Sequence, residues 1–293
     1  MTVATVTGPR LSRRIAEHAF LTFCWLATGL AILALAAILW SLISQGVGGF
    51  MKPDGGGLDL NIFTRSTPAP GSEGGLINAI IGSIMMCAVA MIGAVFVGVL
   101  AGTWLSEYAR DSHYGKVIRF LNDVLLSAPS ILVGLFIYEV LVAPLKGFSG
   151  LAGAVALGLI AAPVITRTTE DVLRLQQVAL REASVALGAP MWRTVMAVIW
   201  KSARAGMLTG ALLAFARISG ETAPLLFTAL NNQFLSFDLT RPTANLPVVI
   251  FNFALSAYDD WRRLAWAGAL LIAATVLTVT IVARILAREP SRS

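Results

Sequence analysis

The sequence predicts an all-α, polytopic transmembrane bundle of about six spans. Three observations carry that prediction. Of the 293 residues, 57% are hydrophobic and only 13% charged, against roughly a quarter charged in an ordinary soluble domain. The 22 basic and 16 acidic side chains are too few to coat a water-soluble body of this length. The charges also cluster, leaving uncharged runs of roughly the 20 residues that a helix needs to cross a hydrocarbon core. A disordered chain and an ordinary soluble domain are both excluded.

The first run begins at Ala19, and its 26 residues to Ser44 make span one. Arg10, Arg13 and Arg14 precede it like a signal-peptide n-region, but the run exceeds the roughly 7–15 apolar residues of a cleavable signal and reads as a retained anchor. Residues 45–76 are rich in Gly and Pro, carry Lys52, Asp54, Asp59, Arg65 and Glu73, and read as an aqueous loop. Span two runs from Ile77 to Trp104. Span three is short, because Asp123 and Glu139 enclose only 15 uncharged residues, Val124 to Tyr138, and Pro129 bends any helix there. Gly147 to Thr166 supplies 20 uncharged residues for span four, after which residues 167–204 are polar enough to leave the bilayer. Span five, Ala205 to Leu230, contains Arg217 and Glu221; span six is Leu264 to Ala283. The core of the bundle is thus 77–284, between the 1–18 segment, the 19–44 anchor and 45–76 loop before it and a 285–293 tail.

Orientation follows from the basic residues. With both termini in the cytoplasm, fifteen of them lie on that side, while Lys52, Arg65, Lys146, Arg241, Arg262 and Arg263 lie outside. The positive-inside rule favours this arrangement. Small residues recur at every fourth position: Ala90, Ala94, Gly98 and Gly102 in span two, Gly150, Ala154, Gly158 and Ala162 in span four, and Ser202, Gly206, Gly210 and Ala214 in span five. Such rows let helix backbones approach closely in lipid, where no hydrophobic drive joins helices, and they mark packing rather than a ligand site.

Little conventional site chemistry is present. Cys24 and Cys87 each sit in an apolar run, and His18 and His113 have no acidic cluster at ligand spacing, so neither a disulfide framework nor a metal centre is expected. The Gly115-Lys116 pair has Arg110 where a P-loop needs its first glycine and Val117 where it needs Ser or Thr. Any energy from ATP must come through another polypeptide, and no cofactor is implied. The net charge of +6 points to the cytoplasmic membrane face, not to nucleic acid.

The 167–204 segment contains Arg181-Glu182-Ala183-Ser184-Val185-Ala186-Leu187-Gly188-Ala189-Pro190. This pattern resembles the EAA loop of ABC-importer permeases, with Ser184 in place of the usual second Ala and Lys201 where many members have Pro. Ala183, Ala186 and Leu187 give a short helix an apolar edge, and Gly188 can supply the left-handed turn that ends it. A solvated amphipathic surface helix is the alternative reading of the motif alone.

The run from Ala216 to Leu230, Ala-Arg-Ile-Ser-Gly-Glu-Thr-Ala-Pro-Leu-Leu-Phe-Thr-Ala-Leu, is similar to the signature of PstA-type permeases of phosphate ABC importers. Asn245-Leu246-Pro247, Leu264 to Gly268, Ala128-Pro129-Ser130 and Thr166 to Glu170 extend the resemblance, which covers roughly residues 75–285. It implies a type I ABC importer permease fold in a bacterial inner membrane, with residues 77–284 as the permease core and the EAA loop at about 167–204. It also implies the partners: a PstC-type permease, two copies of an ABC ATPase, and an extracytoplasmic phosphate-binding protein. Glu182, Ala183 and Gly188 would then engage the ATPase.

Within the bundle, Arg217 lies 12 residues into span five, about 18 Å at 1.5 Å per residue, near the middle of a ~30 Å core. Glu221 stands one turn on and can neutralise it, so a structural ion pair is one reading. The other is an exchangeable pair on the substrate pathway, in which phosphate competes with Glu221 for the guanidinium fork. Pro224 lacks the amide that would bond the Gly220 carbonyl, which places a kink beside the pair. Arg167 at the end of span four is either an exit site for the anion or a positive-inside anchor. A permease for another oxyanion such as sulfate, a membrane enzyme acting on lipid phosphate, and a passive channel are the alternatives, and no nucleophile–base constellation favours the enzyme.

Overall fold

The computed structural model describes residues 11–52 and 57–287. Every regular element among them is helical, and the one strand-like feature is an isolated antiparallel bridge between Met51 and Leu58. Helix α1 (Leu11–Gly49) is followed by α2 (Ile77–Glu107), α3 (His113–Ser127) and α4 (Ser130–Ile137). A π turn, Tyr138–Val142, joins α4 to the short α5 (Ala143–Leu145). Then come α6 (Gly150–Arg174), α7 (Val178–Ala186) and α8 (Met191–Thr194). A second π turn, Val195–Ile199, leads into α9 (Trp200–Ser219), before α10 (Ala223–Thr228), α11 (Leu246–Ala254) and α12 (Asp259–Ala287).

Four helices, α1, α2, α6 and α12, are long and apolar enough to cross a bilayer, and α3 with α4–α5 passes the same test as a pair bent by 103°. Helix α9, less apolar because of Lys201, Arg204 and Arg217, brings the total to about six. Span three is therefore two limbs at a steep angle and not one kinked helix. The cause is local: Pro129 forces Ala128 into extended backbone (φ −65°, ψ 134°), which stops α3, and α4 restarts at the next residue. Span five also differs from an unbroken 205–230 helix. Its helical backbone begins at Met191, ends at Ser219 and resumes only at Ala223.

Glycines of the small-residue rows lie where neighbouring helices come closest. A Cβ placed on Gly98 would lie 2.8 Å from Ile165 Cβ, and one on Gly102 would lie 2.6 Å from the Thr166 carbonyl oxygen, so α2 and α6 touch backbone to backbone. Gly206 and Gly210 of α9 are closed in the same way by Val172 and Thr168 of α6. Met86, Leu157, Ile165 and Ile218 fill the centre where α2, α6 and α9 meet. Helix α1 stands apart. It meets α12 only near its C-terminal end, where Gly46 abuts Leu270 and Gly49 abuts the Arg263 carbonyl and Ala267. There Arg263 donates to the Met51 carbonyl at 2.5 Å and to Asp59 at 3.2 Å, pinning both residues onto α12.

Candidate functional site

Helix α9 has two distinct faces. Ala203, Gly210, Ala214 and Ile218 are buried against the bundle, whereas Lys201, Ala205, Thr209, Leu213 and Arg217, at every fourth position, are all exposed. The open stripe ends at Arg217, in the last turn of α9, where unpaired carbonyls favour a cation. Arg217 Nε lies 4.0 Å from Glu221 Oε1, and the two side chains are 39% and 18% exposed. The pair is therefore loose and open on the guanidinium side. Gly220 and Pro224 flank the break between α9 and α10. Pro224 packs directly on α4, since a Cβ on Gly134 would lie 2.6 Å from Pro224 Cα. The half-helices α4 and α10 thus abut at a glycine and a proline, and Ser149 closes the end of α10 by donating its amide to the Thr228 carbonyl at 3.0 Å.

Arg167 is placed differently. Its Nε donates to Asp171 Oδ2 at 3.2 Å, and its Nη1 lies 3.7 Å from Asp123 Oδ1. An anion arriving there would compete with two carboxylates. Arg167 and Arg217 each keep their own acidic partners, Asp123 and Asp171 for the first and Glu221 for the second.

The residues that resemble the EAA loop form α7 and its end. None of the α7 side chains is buried, and Leu175, Val178, Val185 and Leu187 around it are strongly exposed. Gly188 takes φ +76°, with its amide donating to Val185 at 2.8 Å and the Ala189 amide donating to Ser184 at 3.2 Å. This is a Schellman closure, for which glycine is the residue of least cost. Glu182, Ala183 and Gly188 are all exposed. An apolar, solvent-facing helix bounded by a sharp turn has the character of a protein-docking surface. Ser184, the departure from the usual motif, shares a 2.8 Å hydrogen bond with Thr194 of α8.

Two buried ionic clusters at this end of the bundle escaped sequence reasoning. Arg181 of α7 grips Glu107, the last residue of α2, through Nε to Oε2 at 2.9 Å and Nη2 to Oε1 at 2.7 Å. The Glu107 side chain is 2% exposed, and its bonds raise the Arg181 pKa above its ordinary value. Glu170 of α6, also buried, receives Arg119 and Arg174 at 2.6 Å each. Arg119 further caps the Leu105, Ala109 and Arg110 carbonyls at the end of α2. The available signal was the position of Glu107 and Glu170 at the ends of apolar runs, but nothing in one dimension names their partners.

Comparison with known proteins bears on this geometry. The family profile described as "Binding-protein-dependent transport system inner membrane component" matches residues 94–292. The chain is 51% identical over 280 residues to the phosphate transport system permease protein PstA of Pasteurella multocida (strain Pm70), covering 96% of this chain and 97% of that protein. The corresponding Haemophilus influenzae protein is 47% identical, with 93% and 94% covered. A probable PstA of Methanocaldococcus jannaschii is 33% identical over 92% of each chain. Among solved structures, an inward-facing form of the MetNI methionine ABC transporter aligns with TM-score 0.59 at 17% identity, covering 71% of this chain and 94% of that one. That likeness establishes the fold, a type I ABC importer permease bundle. With a matching profile over most of its length and relatives near half identity across nearly all of it, the chain belongs to the binding-protein-dependent transport system inner membrane components, as a PstA-type permease.

Proposed function

We propose that this chain is a multi-pass inner-membrane subunit of an ATP-driven importer of inorganic phosphate, with ATP hydrolysed on a separate polypeptide. The observation that carries the reading is the near-half identity, over almost the whole chain, to proteins named as phosphate transport system permeases. The exposed α7 surface supports a docked ATPase. A PstC-type permease, two ATPase copies and an extracytoplasmic phosphate-binding protein complete the assembly in this reading, with both termini of this chain in the cytoplasm. The assigned division is an anchor (19–44), an external loop (45–76) and a permease core (77–284).

Arg217 is the pathway residue in this proposal. Phosphate takes the open side of its guanidinium while Glu221 holds the other, and the two anions exchange as the pathway alternates between faces. The break at 220–222 leaves backbone groups without helical partners beside the pair, as in the interrupted helices of other transporters. Arg167, faced by Asp123 and Asp171, contributes less to anion attraction in this scheme. The test is ATP-dependent uptake of radiolabelled phosphate by vesicles holding the four-component complex, with sulfate in parallel. Sulfate-driven uptake with no phosphate uptake would reassign the substrate, and uptake that persists without ATP would make the chain a passive conduit.

A further inference from the structure

Helix α7 fully buries no side chain of its own; Leu180 packs partly buried against the cluster of Leu173, Ile199 and Ala203, and two specific polar links fasten the helix to the bundle. One is the Ser184–Thr194 hydrogen bond to α8, which leads into α9. The other is the two-pronged Arg181–Glu107 pair, in which one guanidinium also donates to the carbonyls of Leu173 and Gln176 at 2.9 Å each. Arg181 therefore ties together the end of α2, the last turn of α6 and the α6–α7 connection. A fork of this kind resists rotation as well as separation, because both nitrogens must stay aligned with both oxygens.

The far end of α2 is tied just as specifically. Asn78 donates to Thr67 Oγ1 at 3.0 Å and to the Asn232 carbonyl at 2.7 Å, joining the 64–75 and 230–245 loops. Gly82 lies hard against the Ala244 carbonyl, with no room for a side chain. Between those ends α2 is one unbroken helix of 31 residues, about 46 Å long at 1.5 Å per residue.

We propose that the Arg181–Glu107 pair is a positioning link that passes displacement of α7 to α2, and through α2 to the loops at its opposite end. The link rests on the reading of α7 as the ATPase-docking helix. Arg119 and Glu170 hold the end of α2 against α3 and α6, so it moves with them as a unit. In this arrangement the pair couples ATP turnover to the pathway without touching substrate.

The experiment uses the four-component complex in vesicles, with Glu107→Gln, Arg181→Gln and the double variant Glu107→Gln/Arg181→Gln compared at equal amounts of assembled complex. Three quantities are read: ATPase recovered with the membrane subunits, basal ATPase rate, and stimulation by binding protein loaded with inorganic phosphate. The single variants are expected to keep the ATPase bound and the basal rate, while stimulation falls about tenfold, the size of a typical coupling between two sites. The double variant should lose no more than the worse single variant, because the link is already gone in each. Wild-type stimulation in both single variants, or losses that add up in the double variant, overturns the link. If the single variants fail to assemble, Arg181→Lys serves, since it keeps the charge but not the fork, and wild-type stimulation there likewise overturns it. Should phosphate fail to stimulate the wild-type complex while loaded sulfate-binding protein succeeds, the substrate assignment falls, and the same variants are read with sulfate.

Discussion

Replacing Arg217 by lysine separates the two readings of its pair with Glu221, because the charge stays and the planar fork is lost. If the residue only pairs with Glu221, the geometry limits the damage. At 4.0 Å and with the guanidinium 39% exposed, the pair belongs with open ion pairs worth about 0.2–1 kcal/mol, at most roughly fivefold in any equilibrium. If the fork grips phosphate in the transport step, lysine loses one charge-assisted hydrogen bond of about 1.5–3 kcal/mol, which corresponds to roughly 10- to 150-fold. The two ranges do not overlap. The assay is the initial rate of radiolabelled phosphate uptake into vesicles, normalised to assembled complex, with basal ATPase measured on the same preparation. The expected result is uptake reduced at least about tenfold with basal ATPase retained. Uptake within about fivefold of wild type, or loss explained entirely by dissociation of the complex, would refute the pathway assignment.

Glu221→Gln should assemble more readily than Arg217→Ala, since the amide still hydrogen-bonds, yet change the phosphate dependence of uptake; an unchanged dependence argues that Glu221 never competes with the anion. Gly188→Val should weaken recovery of the ATPase with the membrane subunits, because a β-branched side chain at φ +76° costs about 1–2 kcal/mol and unwinds the α7 closure. Gly188→Asn, which tolerates that backbone, should retain most of it, and equal loss in both variants would point away from the turn. Gly102→Leu should destabilise the α2–α6 contact by about 1–3 kcal/mol, read as a lowered thermal midpoint in detergent; no shift would mean the helices separate at small cost. Single cysteines in 57–70 and 235–256 should label from outside and those in 178–190 only from inside, and outside labelling of the latter would reverse the assigned orientation.

Much of the fold was legible because its strongest signal is one-dimensional. A run without charge needs no tertiary knowledge to be read, and α2, α6 and α12 coincide with such runs. The small residues were legible by their period of four, and the structure shows why they are small: at Gly98 and Gly102 the neighbouring helix already occupies the space of a side chain. Gly188 was legible because a left-handed turn leaves few alternatives. The steep angle between α3 and α4 was half legible. Pro129 announces a break, but the 103° turn depends on Arg119 and Asn122 holding α3 to Glu170 and the Pro163 carbonyl of α6. The early start of α9 at the second π turn had no comparable marker.

The buried pairs were not legible, and their contrast with Arg217 carries the functional argument one step further. Glu107 and Arg181 are separated by 74 positions, so only the fold brings them together. Once joined, they show what a fastening pair looks like here: contacts of 2.7 and 2.9 Å, a carboxylate 2% exposed, and spare donors spent on carbonyls. Glu170 with Arg119 and Arg174 has the same character. Removing one member of such a pair strands a buried charge, at about 3–5 kcal/mol, so these pairs are built not to exchange. Arg217 and Glu221 differ on each count, being longer in contact and more open, at the end of the exposed α9 stripe. A pair meant only to fix register gains nothing from that looseness. A guanidinium that must release a carboxylate to take a phosphate, and then return to it, needs a partner held weakly enough to leave and near enough to come back.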